Sequence, residues 1–159
     1  SYINQNLQFY ECQINAEDIC HNDFMMMCAT VLSHICQRFA KGEKPHTALQ
    51  IKDATDIPVR ITVEILYKLI QVDLVSENVS PTSDEVTYTP TYDTTNITVG
   101  EMIARLESAP ESSKLGLLGF SPQRIWNHDI YNKVGSVRVA YLNELKSINI
   151  KELISNVEE

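Results

Sequence analysis

The groups with the most chemistry to offer in this chain are its histidines, cysteines and adjacent carboxylates. Hydrolysis of a phosphodiester needs a metal cage or a histidine-based acid and base. The histidines stand at 21, 34, 46 and 128, and no HxH, HxxxH or HxxE spacing joins them. Each reads as a surface or half-buried histidine. The cysteines, Cys12, Cys20, Cys28 and Cys36, lie eight apart, without the close CxxC pairs that zinc sites use. Eight residues turn a helix by roughly 80°, so they do not form one stripe. They read as reduced thiols in a helical segment. The carboxylate pairs Asp84-Glu85 and Glu158-Glu159 fall in a turn and a tail, where water accounts for them. The five glycines are scattered, with no phosphate-cradling loop and no GxSxG elbow. No constellation carries a reaction and no cofactor is expected.

The elements that would position any site follow from apolar spacing. Phe24, Met27, Cys28, Val31, Leu32, Ile35 and Phe39 recur at helical intervals, predicting a helix from Asn22 to Lys41. Asn22 or Asp23 can cap it and Gly42 can stop it. Thr47 and Gln50 have capping-box spacing for a short helix ending near Thr55. Pro58 suits the first position of a third helix reaching Val72. In that helix Val59, Val63, Leu66 and Ile70 form one apolar row, beside Ile61, Ile65, Leu69 and Val72. Leu74–Val79 and Val86–Pro90 read as strands around a turn at 80–84. Thr98 and Glu101 repeat the capping-box spacing ahead of a fourth helix to Ser108. Ser121-Pro122 opens a last helix, whose apolar positions Ile125, Trp126, Ile130, Val134, Val137, Tyr141 and Leu145 continue to about Ser147. Ile150, Leu153, Ile154 and Val157 add a final turn.

The expected organisation is a lead-in (1–22), a winged-helix-like domain (23–108), a linker (109–120) and a C-terminal helical extension (121–159). The fold class is therefore mainly α with a small β-hairpin: a winged helix-turn-helix-like core plus additional C-terminal helices. Residue 1 is Ser, so the chain reads as a piece of something longer. Its first residues lack a signal peptide's basic start and apolar run. The longest apolar stretch without charge, Phe24 to Gln37, is shorter than the roughly 20 residues that span a bilayer.

Charge bears on partners. The 13 basic and 21 acidic side chains leave a net charge of −8. In a helix-turn-helix the second helix of the pair brings cationic and amide groups to the major groove. Here that face offers Arg60, Lys68 and Gln71, with Glu64 among them, while the wing tip carries Asp84 and Glu85. Duplex binding needs several neutralised phosphates, and this surface argues against it. A protein partner or self-association is expected instead, through the first helix, the C-terminal helix, or the apolar cluster Leu115, Leu117, Leu118 and Phe120. A DNA-binding transcriptional regulator is the alternative.

Certain residues also carry a family resemblance. They are Ile57-Pro58 at the helix turn, the I-L-Y-x-L run at Ile65–Leu69, and Tyr88-x-Pro90 leading to Asp93 and Ile97-Thr98-Val99. With the lead-in FYECQINAEDIC, residues 7–108 resemble the cytoplasmic C-terminal extension of YihY/BrkB-family inner-membrane proteins. The resemblance implies a non-catalytic cytoplasmic domain of a multi-pass bacterial membrane protein, tethered through a preceding membrane part. It also brings a family description, ribonuclease BN-like and tRNA-processing. No residue here matches a catalytic set, so none carries over. Asp56 and Asp73 stand where such domains often place glycine at a helix end.

Overall fold

A computed structural model describes residues 14–91, 96–109 and 128–153. After a single 3-10 turn at Ala16–Asp18, helix α1 spans His21–Ala40. Cys20, in extended conformation, takes the cap position expected of Asn22 or Asp23. The helix closes as predicted: Gly42 adopts φ 68°, and its amide and that of Glu43 return to Phe39 O and Arg38 O. Phe24, Cys28, Val31, Leu32 and Ile35 are buried, as their spacing requires. Cys28 and Cys36 are buried too, because the covered side of α1 is wider than the angle between them.

Helix α2 spans Ala48–Thr55 behind a complete capping box. Thr47 Oγ1 accepts from the Gln50 amide at 3.3 Å, and Gln50 Oε1 accepts from the Thr47 amide at 2.9 Å. Asp56 then turns the chain with φ 58°. Helix α3, Val59–Gln71, follows with Pro58 at its cap, one position earlier than predicted. Thr62 is wholly buried and donates its hydroxyl proton to Ile57 O and Pro58 O, both at 3.1 Å. Asp73, φ 59°, reverses the chain into the hairpin. Both aspartates hold the left-handed conformation that glycine adopts without cost.

Strands β1, Val75–Val79, and β2, Val86–Pro90, pair antiparallel, with Glu77 opposite Tyr88. His46, in the α1–α2 connection, bridges Tyr88 from the other side, through a Tyr88 N–H to His46 O bond of 3.1 Å. The connection thus adds a single antiparallel bridge to the hairpin. Helix α4, Val99–Ser108, is capped by Thr98 Oγ1, which accepts from the Glu101 amide. The Glu101 carboxylate turns instead to Arg105. Helix α5 spans His128–Leu145, and its chain returns through a 3-10 turn at Ile150–Glu152.

One core joins these elements. Leu32, Ile51, Ile61, Ile65, Leu69, Met102 and Ile103 are among its fully buried members, each worth about 1.5–3 kcal/mol of transfer energy. Ile150 belongs to the same core. It is drawn in by bonds from its amide to Ile97 O and from Val99 N–H to Ile148 O, at 2.9 and 3.0 Å. Gln37 of α1 seals this seam by donating to Lys151 O.

Three apolar stretches are exposed in part. Phe39 is 57% exposed, because it sits in the last turn of α1 beyond the body. Val63 is 52% exposed, and Val59 of the same row is exposed too, because α3 is covered along Ile61, Ile65 and Leu69 and at the adjoining Thr62 and Leu66. The apolar positions read for α5 face water at Ile130, Val134, Val137 and Tyr141. Among the described residues of that helix, Leu142 and Leu145 pack on the core. The turn after it buries Ile150 but leaves Leu153 exposed. The segment 110–127, with the predicted start of the last helix and with Leu115, Leu117, Leu118 and Phe120, lies outside the described residues, as do Ile154 and Val157. Among the described residues no helix is long and apolar enough to cross a membrane.

Candidate functional site

His21, His34 and His46 divide into two environments. His21 opens α1 and bonds Glu107 of α4 at 2.8 Å, and Glu107 also takes an ion pair from Arg138 of α5. Its carboxylate therefore ties three helices together.

His34 and His46 are brought together by the α1–α2 connection. His34 Nε2 and His46 Nδ1 share a hydrogen bond of 3.0 Å, with ring centroids 5.1 Å apart. Arg38, Glu43, Phe39 and Tyr88 line the same pocket. Arg38 donates to Lys44 O from Nε and Nη2, and to Glu43 Oε2 from Nη1 at 2.7 Å. Burial pushes His34 down to about 4, helped by the facing His46 ring and by Arg38. His46 is lowered by burial and by Arg38, against a smaller opposing effect of Glu43. Both rings are neutral at neutral pH and serve as a hydrogen-bonded strut between α1 and the hairpin. Sequence spacing gave no sign of this pair, twelve residues apart; only the return of the chain along the hairpin edge brings it together. The Cys28 thiol is pushed up to about 12 by burial, so it is inert at neutral pH. Tyr88 is raised by burial and by Glu77 across the strand pair.

The predicted groove-reading residues sit on the exposed side of α3, and Lys68 and Gln71 are engaged within the chain. The Lys68 ammonium lies over the Phe24 ring, 5.3 Å from its centroid. Gln71 Nε2 donates to the Tyr67 hydroxyl at 2.8 Å. Arg60 is exposed. Between these residues the face presents Val63 and Tyr67, the latter 59% exposed, together with Glu64. A cavity of about 240 Å³ separates this face from the end of α4, lined by Glu64, Tyr67, Lys68 and Leu106. At the hairpin tip Asp84 and Glu85 are exposed, and Asp84 has φ 54°. This face can make van der Waals contact over Val63 and Tyr67 more readily than it can neutralise a row of phosphates.

Among the described residues, an uncovered apolar row lies on α5. Ile130, Val134, Val137 and Tyr141 are 55%, 50%, 70% and 49% exposed. They follow a 4-3-4 spacing, and Val134, Val137 and Tyr141 line one shallow groove together with Lys133 and Arg138. The side of α5 that rests on α4 lies roughly a quarter turn away. Here Gly100 of α4 comes so close that a Cβ on it would sit 2.4 Å from Leu142 O. The helix thus has two apolar sides, one used within the fold and one open. Periodicity alone marks this row as apolar; it does not say whether the covering surface belongs to the same chain.

No protein-family model matches the chain, and a search of curated proteins finds no match.

Proposed function

We propose that the chain is a non-catalytic, winged-helix-like interaction module that holds a protein through the open side of α5. Two features support the winged-helix reading. The order is three helices followed by a hairpin, and the bridge from His46 supplies the third short pairing beside β2. The family resemblance of residues 7–108 favours a cytoplasmic domain of a multi-pass bacterial membrane protein of the YihY/BrkB type.

The observation that carries the proposal is the exposed row Ile130, Val134, Val137 and Tyr141. A helix face this apolar is stable in water when another surface covers it. The competing reading, a DNA-binding regulator, draws on Arg60 and on the helix-hairpin arrangement. It is opposed by the intramolecular engagement of Lys68 and Gln71 and by the acidic hairpin tip.

Electrophoretic mobility of short duplex DNA at low salt separates the two. The proposal predicts no retention by the wild-type chain. Salt-dependent retention that weakens in Arg60→Ala and Lys68→Ala would overturn it in favour of the regulator.

A further inference from the structure

We infer that the surface covering the open side of α5 is α5 of a second copy, laid antiparallel. This rests on the reading of that side as the docking face. The 4-3-4 spacing of Ile130, Val134, Val137 and Tyr141 is that of the a and d positions of a coiled-coil seam. In order, the row runs large, small, small, large. Reversed on itself it is self-complementary: Ile130 meets Tyr141 of the second copy, and Val134 meets Val137. An isologous two-fold contact requires that kind of palindrome.

Charge selects the direction. Lys133 and Arg138 take the g and e positions beside the seam. In a parallel pair the g residue of one helix faces the e residue of the next heptad in the other, so Lys133 would oppose Arg138. In the antiparallel pair Lys133 falls opposite Ala140, and Arg138 falls opposite position 131. No cation then faces a cation across the seam.

The test combines mass with cross-linking, using the whole chain carrying Cys12→Ser and Cys20→Ser. Light scattering is expected to give twice the monomer mass at high concentration. Val137→Glu, at an exposed position, should give the monomer mass with unchanged circular dichroism. Under mild oxidation, Ile130→Cys mixed with Tyr141→Cys should form a disulfide-linked dimer, whereas Ile130→Cys alone should not. In the antiparallel pair its two copies lie about 16 Å apart along the axis. A strict monomer overturns the inference, whether the face is covered from within the chain or by another protein. Efficient cross-linking of Ile130→Cys to itself overturns the antiparallel arrangement. Neither result resembles duplex retention, which would sink the docking reading itself.

Discussion

The His34–His46 strut gives the fold a pH dependence whose sign follows from proton counting. In the unfolded chain both rings take up protons near the ordinary value of 6.5, whereas in the fold His34 resists until about 4. Between those values the unfolded chain binds more protons, so stability falls as the pH falls through that window. Above it the contribution is fully present. Urea unfolding at about pH 7 and about pH 5 should show a loss of stability in the wild type that is smaller in His34→Gln. An equal loss in the variant would remove the strut from the account. Residue chemistry of this kind was barely legible in the sequence, because a hydrogen bond between distant rings leaves no local spacing. The positive φ of Asp56 and Asp73 was more legible, since both occupy helix ends where glycine is common.

Elements were read more easily than the surfaces they make. The capping box at Thr47, the stop at Gly42 and the hairpin all stand close to where local chemistry puts them. The α3 and α5 rows were read as apolar, and part of each is exposed. Hydrophobic spacing records which side avoids water, not which chain does the covering. The seat of α5 on α4 shows how closely the used side is fitted. At Gly100 an added methyl would meet Leu142 O at 2.4 Å and Lys146 N at 2.8 Å. These are backbone atoms, so α5 itself must move. Gly100→Ala should lower stability by about 1–3 kcal/mol despite alanine's better helix propensity, read as a shifted urea midpoint. A stabilised variant would mean that α5 does not rest on α4 as described.

At the scale of the whole molecule, charge and exposed apolar area point the same way. A net charge of −8 and an acidic hairpin tip disfavour a polyanion. The open side of α5 favours another protein surface. The tie from Ile150 into the core fixes the helix at one end and leaves its apolar row facing outward. Hydrogen exchange, measured segment by segment in dilute and in concentrated protein, addresses this contrast most directly. Slower exchange is expected in α5 between Ile130 and Tyr141 as concentration rises, with α3 unchanged. Exchange in α5 that ignores concentration, together with protection of α3 on adding duplex DNA, would contradict the account.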